Sequence, residues 1–419
     1  MGISLDGQTV ARLRLSSRTW RSYGRQSIAR EGRHEISVRL LNPRSTRRCS
    51  RALEVDSVTL TEHTGPRVTA TPKALVSSSD TFQNPVYAGP AGGGFADPMV
   101  LKADGRYWAY ATGGLFLTAS SDDLVHWTDR GSAMTSRPAW TAQTGEWNPW
   151  APSVIETDQE CPGRLSEEQS GLSTGRCYVM YFTAVNPSVT PRANCIGVAT
   201  STWPGGPFTD RGILQGQGET VDRSGRPLGC GDDFGYSNID AAPFVDRDGT
   251  PYLYFSTGHH CDEPAPNAEC PWDRELSVVE LAPDMLSAVR PRRPLLRNEA
   301  DFWENGIVEN PWVSRVDDRY ELLYSGGNFR RAYGMGSSSA VAPTDIFTRG
   351  ANPLLADGDR VKSAGGGSLV EAPSGTYVAY HGRNDTYEQP RTLRIDRLGR
   401  HADGSPWTDA PTSMPQPRP

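Results

Sequence analysis

Hydrophobic and polar positions alternate in short runs along most of the chain, and one kind of run returns five times. Its copies are Gly105–Thr112, Cys177–Thr183, Gly249–Thr257, Asp318–Ser325 and Gly375–Gly382, each rich in Tyr, Phe, Trp, Val or Leu and opening next to a turn residue in four of the five cases. Alternation of this kind behind a Gly or Asp turn predicts a strand leaving a tight hairpin. A second element precedes each copy: Ala96–Val100, Ala151–Ile155, Asp240–Val245, Glu309–Val313 and Gly366–Val370. A third strand follows, clear in Leu115–Ser120 and Ile196–Ser201 and weaker in Leu276–Glu280, Tyr333–Ser337 and Leu393–Asp396. Outer-edge runs such as His126–Asp129 and Gly206–Asp210 close some of the units. Five units of three or four short strands, with no helical period between them, predict an all-β five-bladed β-propeller over 85–410. The competing architecture, two unrelated sandwiches, does not explain a three-element cassette repeated five times.

Upstream, the runs Val10–Leu15, Glu35–Leu40 and Leu53–Leu60 also alternate, predicting a small, incomplete β-sandwich segment over 1–63. About 60 residues make a marginal independent core. Residues 64–84 carry Gly65-Pro66, Pro72 and Ser77-Ser78-Ser79 and predict a linker, while 411–419 reads as a tail.

Composition narrows the function. Gly and Pro together make up 76 of the 419 residues, which suits a turn-rich chain of short strands. No apolar run approaches the roughly 18 residues that cross a bilayer. A net charge of −6 argues against a nucleic-acid-binding protein, even though residues 1–70 alone carry +7. Six of the seven cysteines (Cys161, Cys177, Cys195, Cys230, Cys261 and Cys270) fall within 110 residues, in loops without a CxxC pair. Disulfides that pin long loops are therefore expected rather than zinc, which points to an oxidising, extracellular compartment. Of the fifteen pairings that six cysteines allow, Cys261–Cys270 and then Cys161–Cys177 are favoured by their short loops, with Cys49 left over. The N-terminus shows no apolar signal-peptide segment.

The candidate chemistry lies at the starts of the first strands, which line the axis of a propeller and converge at one mouth. Asp97, Asp240 and Glu309 are placed there, at positions taken as equivalent in the repeat, although 143 and 69 residues separate them in turn. Burial raises a carboxyl pKa, and three converging carboxyls push their values apart, so one site can hold both a general acid and a general base. That set suits glycosidic bond hydrolysis. Any one of these carboxylates alone would read as a hydrogen-bonded turn residue.

The stretches Ala96-Asp97-Pro98, Trp150–Val154, Ile239-Asp240 with Pro243–Asp246, Val308–Trp312 and Tyr380-His381-Gly382 resemble, in that order, glycoside hydrolase family 43. This is the arabinanase, xylosidase and arabinofuranosidase group. The resemblance implies inversion by single displacement on arabinose- or xylose-containing plant polysaccharides. Asp97 would be the general base, Glu309 the general acid, and Asp240 the residue that tunes and orients the acid. Inversion calls for roughly 6.5–9.5 Å between base and acid. Phe95, Trp150 and Phe234 are candidate sugar platforms, and His381 and Arg391 candidate sugar contacts. Many relatives place a His in the blade V turn as ligand for a central ion. Gly366 stands there in this chain, which counts against structural calcium, and no cofactor is required. The N-terminal segment resembles the C-terminal half of a xylan-binding carbohydrate-binding module, through Trp20, Tyr23, Gly32-Arg33-His34, Asn42 and Arg51–Asp56. A monomer acting on a polysaccharide or oligosaccharide is expected. The alternative is a lectin-like propeller that binds sugar without cutting it, which would not need three converging acids. A WD-type scaffold lacks its regular Trp-Asp blade endings here. A fructan-hydrolase reading through Glu160-Cys161-Pro162 or Glu269-Cys270-Pro271 puts the acid in an insertion rather than at a strand start.

Overall fold

The computed structural model describes residues 81–162, 176–189, 193–217, 227–231, 236–259, 274–299, 303–350 and 353–419, together with five short strands upstream. The chain divides into two compact units, Met1–Ala74 and Leu75–Pro419. In the first, Gly2–Leu5 pairs antiparallel with both Gln8–Arg12 and Ile36–Arg39, and Ser45–Thr46 pairs with Cys49–Ser50. The residues on which a carbohydrate-binding-module likeness rests, among them Trp20, Tyr23 and Asn42, lie outside the described residues.

The second unit is a five-bladed β-propeller. Blades I to V each pair antiparallel strands in sequence order from axis to rim. Their innermost strands are Ala96–Ala103, Trp150–Thr157, Tyr236–Val245, Val308–Val316 and Val361–Ala372. The aromatic runs form the second strands, Arg106–Thr112, Cys177–Asn186, Pro251–His259, Arg319–Asn328 and Gly375–Asn384. Among the described residues no helix is long and apolar enough to cross a membrane.

The period-2 pattern of the second strands has a direct structural use. Alternate side chains point to opposite faces of a sheet, and here each face meets a different neighbouring blade. Tyr178, Met180 and Phe182 of blade II pack on Trp108, Tyr110 and Phe116 of blade I. Val179 and Tyr181, between them in sequence, pack instead on Leu253 and Phe255 of blade III. The same alternation builds separate cores between blades III and IV, IV and V, and V and I. Burial on both faces explains why these runs are apolar throughout rather than half polar.

Two boundaries differ from the sequence expectation. Residues 411–419 are not a tail: Gln416 and Pro417 pair with Phe82 and Thr81, which also removes 81–84 from the expected linker. Asn84 exchanges hydrogen bonds with the backbone of Ile395 (2.8 and 3.0 Å), and Thr412 Oγ1 donates to Asp396 at 2.5 Å. Both chain ends of the propeller are thereby tied to blade V, closing the ring with long-range contacts that no local pattern announces. The Cys161–Cys177 disulfide is present, and a second joins Cys195 to Cys230 across 35 residues. Cys261 and Cys270 lie outside the described residues.

Candidate active site

Every innermost strand carries a bulge near its start. The register jumps between Ala96 and Met99, Trp150 and Ser153, Ile239 and Ala242, Glu309 and Trp312, and Gly365 and Ser368. The first residue inside each bulge has positive φ: Asp97 (51°), Ala151 (40°), Asp240 (57°), Asn310 (49°) and Gly366 (58°). Left-handed backbone costs an ordinary L-residue roughly 1–2 kcal/mol, and Gly, Asn and Asp tolerate it best, which accounts for four of the five residues found. Bulges leave a backbone N–H outside the ladder and re-aim side chains.

These freed N–H groups are caught by the blade before. Ala151 N–H donates to Thr112 Oγ1 (2.9 Å), Asp240 N–H to Thr183 Oγ1 (3.0 Å), Gly366 N–H to Ser325 Oγ (2.8 Å) and Asp97 N–H to His381 Nδ1 (3.1 Å). Thr112, Thr183, Ser325 and His381 hold the same register position in the second strands of their blades. The fifth junction breaks the rule: Asn310 N–H donates to Asp240 Oδ2 (3.2 Å), while Ser256 Oγ, at the matching position, donates to the Val308 carbonyl (2.7 Å). Four of these polar groups, and Asp240 at the fifth junction, thus bind the mouth of the propeller into one ring.

The register corrects one expectation. Asp97 and Asp240 are equivalent, but Glu309 stands one residue earlier, level with Ala96, Trp150, Ile239 and Gly365. The residue equivalent to the two aspartates in blade IV is Asn310. Side chains alternate along a strand, so the carboxyl of Glu309 approaches from a different direction. Below the bulges lies a small cavity of about 30 Å³, lined by one stretch from every blade (97–99, 151–153, 240–242, 310–312 and 367–368).

Asp97 is surrounded by donors. Arg391 Nη1 donates to Oδ1 at 2.9 Å and Thr112 Oγ1 to Oδ2 at 2.6 Å, and the His381 imidazole lies 3.3 Å from Oδ1. Burial favours the neutral acid, but Arg391 and Thr112 outweigh it and hold the Asp97 carboxyl well below the usual range, while His381 Nδ1, as acceptor of the Asp97 N–H, donates nothing to the carboxyl. Asp240 has the opposite balance. Burial, then the carboxyls of Glu309 and Asp97, push it well up against the pull of Arg274 and the Asn310 N–H. Burial also raises Glu309, against Arg274 and the 2.8 Å hydrogen bond donated by Tyr333 Oη to Oε1. Two arginines, Arg391 and the buried Arg274, therefore face three carboxyls. Asp97 is thereby set apart from the Asp240–Glu309 pair: its carboxyl is pulled down while theirs are pushed up.

The other candidates divide. Trp150 is half-exposed and stands level with Glu309 at the mouth. Arg391 joins the site through Asp97, with its guanidinium 4.7 Å from the centre of the Phe329 ring. Phe95 is fully buried, edge-on to Tyr87 at 5.2 Å, so it offers no face to a sugar. His381 is fully buried as well and is a backbone clamp for Asp97 rather than a sugar contact; burial, with Arg391 nearby, lowers its pKa to about 4 and keeps it neutral. Phe234 lies outside the described residues. The sequence reading missed Thr112, Tyr333 and Arg274, and marked Asn310 only as an unusual residue after the acid. Thr112 had a visible signal, being the polar residue that ends an aromatic run in step with Thr183, Ser325 and His381.

Calcium takes six to eight oxygen ligands, and three groups near the axis bear on such a cage. Gly366 brings no donor, Ser368 Oγ is taken by Val100 N–H (3.0 Å), and Asp97 is already bonded through both oxygens. Among the described residues, no group of three or more His, Cys, Asp or Glu is placed to hold a metal ion.

One buried carboxyl pulled down beside two that are pushed up is the electrostatic pattern that acid–base hydrolysis uses. The chain belongs to the family described as glycosyl hydrolases family 43, which it matches over residues 82–406, and its substrate class is carbohydrate. It is 30% identical over 341 residues to the beta-D-galactofuranosidase xynD of Aspergillus niger, covering 78% of this chain and 84% of that protein. An arabinan endo-1,5-alpha-L-arabinosidase B of Emericella nidulans is 30% identical over 165 residues, 38% of this chain and 34% of that protein. Among solved structures, a thermostable family-43 glycoside hydrolase superposes with a TM-score of 0.61 at 26% identity, covering 81% of this chain and 99% of that one.

Proposed function

We propose that this glycoside hydrolase inverts the anomeric centre of a furanoside, with Asp97 as general base, Glu309 as general acid and Asp240 as the residue that keeps the acid protonated and oriented. The observation that carries the proposal is the electrostatic split of the site: Arg391 and Thr112 pull the Asp97 carboxyl down, while burial raises Asp240 and Glu309 together. A water molecule gives a proton to Asp97 as its oxygen bonds to the anomeric carbon. The glycosidic bond breaks and its oxygen takes the proton from Glu309. Asp240 orients the acid's strand through the Asn310 N–H, one peptide from Glu309. The guanidinium of Arg391 is positioned to donate to a sugar hydroxyl as well as to Asp97, and Trp150 supplies a stacking face at the rim.

The sugar is α-L-arabinofuranose in this proposal, in arabinan or arabinoxylan, with β-D-galactofuranose as the closely related ring suggested by the Aspergillus relative. These two furanoses share their ring stereochemistry and differ in the exocyclic carbon chain. β-Xylosides are the pyranoside alternative. The two disulfides support action outside the cell, and a site whose carboxyls and their partners all come from one chain supports a monomer. Hydrolysis of 4-nitrophenyl α-L-arabinofuranoside, β-D-galactofuranoside and β-D-xyloside is the test. Turnover of a furanoside well above that of the xyloside is expected, and a clear preference for the xyloside overturns the furanoside assignment.

A further inference from the structure

We infer that Tyr333 is a positioning residue for Glu309, and that its ring, stacked on His381, links the acid to the base across the mouth of the propeller. The inference rests on the assignment of Glu309 and Asp97 proposed above. Three contacts in series carry it. Tyr333 Oη donates to Glu309 Oε1 at 2.8 Å. The Tyr333 ring lies parallel to the His381 imidazole, 5.7 Å between centres and 9° between planes. His381 Nδ1 accepts the Asp97 N–H at 3.1 Å. Tyr333 and His381 are both buried, so this chain of contacts is packed rather than solvated.

The glycine stretch of blade V makes room for the stack. A Cβ on Gly365 would come within 2.5 Å of Tyr333 Cε1, and one on Gly366 within 2.4 Å of His381 Cε1. The direction of the tyrosine proton is also set. Asn310 Nδ2 donates to Tyr333 Oη at 3.4 Å, so the hydroxyl accepts from Asn310 and spends its own proton on Glu309. With Oε1 occupied in this way, the transferable proton of Glu309 sits on Oε2, and that proton passes to the leaving glycosidic oxygen. As Glu309 becomes a carboxylate, the tyrosine hydrogen bond strengthens, because bonds to charged acceptors are the stronger kind. Other charged groups facing Glu309 are Arg274 and Asp240 from blade III, Asp97 from blade I and Arg391 from blade V. The two arginines favour the carboxylate form and the two aspartates oppose it.

Tyr333→Phe keeps the stack and removes the hydroxyl. The carboxylate then loses a donor, its pKa rises, and the alkaline limb of kcat/KM against pH moves up by roughly one pH unit. On a poorly activated natural linkage the rate at the wild-type optimum falls by about tenfold, while a 4-nitrophenyl substrate with a good leaving group is much less affected. Asn310→Gly, which removes only the amide that orients the hydroxyl, gives a smaller shift in the same direction and serves if Tyr333→Phe is poorly folded. A purely structural role would lower kcat with the alkaline limb unmoved, and that result overturns the inference. Glu309→Ala run in parallel separates the two levels. If Glu309→Ala is not selectively impaired on poor leaving groups, the acid assignment fails; if it is impaired and the Tyr333→Phe limb stays in place, only the role of Tyr333 fails.

Discussion

The two sides of the site bury carboxyl groups in opposite ways. On the blade I side, the Asp97 carboxyl accepts from an arginine and a threonine hydroxyl on different elements, and a neutral histidine clamps its backbone N–H. On the side of blades III and IV, Asp240 lies against Glu309, Arg274 acts on both as counter-charge, and Asn310 N–H and Tyr333 Oη donate to Asp240 and Glu309 respectively. Burial is nearly the same on both sides, so depth does not decide which group is the base. What sets Asp97 apart is the Arg391 guanidinium and the Thr112 hydroxyl aimed at its two oxygens. The left-handed bulge matters to both sides because it turns the side chain inward and frees an N–H to be clamped by the neighbouring blade.

The largest effect expected from breaking this contrast is the loss of the base. Asp97→Asn keeps the shape but removes the proton acceptor, and turnover falls by about 10³–10⁴-fold whatever the leaving group. Steady-state rates on aryl glycosides of graded leaving-group pKa check this, since a loss confined to poor leaving groups would move the acid role to Asp97. Gly366→Ala comes next. Its Cβ would lie 2.7 Å from His381 Nδ1 and 3.1 Å from Asp97 Oδ1, so clamp and base are both displaced. An overpacked methyl costs about 1–3 kcal/mol, and kcat is expected to fall by roughly 10–100-fold, consistent with a displacement near 1 Å. A variant with unchanged kcat would show that the clamp does not position Asp97.

Arg391→Ala sharpens the contrast by making the base resemble the acid. Arg391 lowers the Asp97 pKa, so its removal raises it, and the acidic limb of kcat/KM moves to higher pH by roughly 1–2 units. A pH profile measures this directly. The smallest effect is on stability, and there the two aspartates have opposite signs. The folded pKa of Asp240 is raised, so folding loses stability as pH climbs above the unfolded carboxyl value. Asp240→Asn is expected to raise Tm at pH 7 by about 1–2 °C, the shift that ~1 kcal/mol brings in a unit as long as Leu75–Pro419, with the gain vanishing near pH 4. The folded pKa of Asp97 is depressed. Its contribution is present above the unfolded value and lost as pH falls toward the folded one, so Asp97→Asn lowers Tm at pH 7. Thermal melts of both variants across pH 4–8 distinguish the two signs.

Much of the propeller was legible because its second strands are buried on both faces and repeat the same aromatic run, as in Cys177–Thr183 and Asp318–Ser325. The meeting of Asp97 and Asp240 at one mouth follows from their equivalence in that repeat. What escaped was set by backbone register and by contacts between distant strands. The one-residue offset of Glu309 shows only when Glu309-Asn310-Pro311 is set against Ala96-Asp97-Pro98, which aligns Asn310 rather than Glu309 with Asp97. Tyr333 reaches Glu309 only because two glycines of another blade leave space for its ring. His381 and Phe95 look like surface contacts in a list of residues near the motifs, yet inter-blade packing buries both. The 411–419 closure joins two short segments more than 330 residues apart, with no periodic pattern in either.

The most direct test of the central claim is the configuration of the first product. Proton NMR of the anomeric signal during hydrolysis of an α-L-arabinofuranoside, taken before mutarotation, is expected to show β-L-arabinofuranose appearing first. The α-anomer appearing first would mean that a carboxylate attacks the sugar itself, and the assignment of Asp97 as a base acting through water would be wrong.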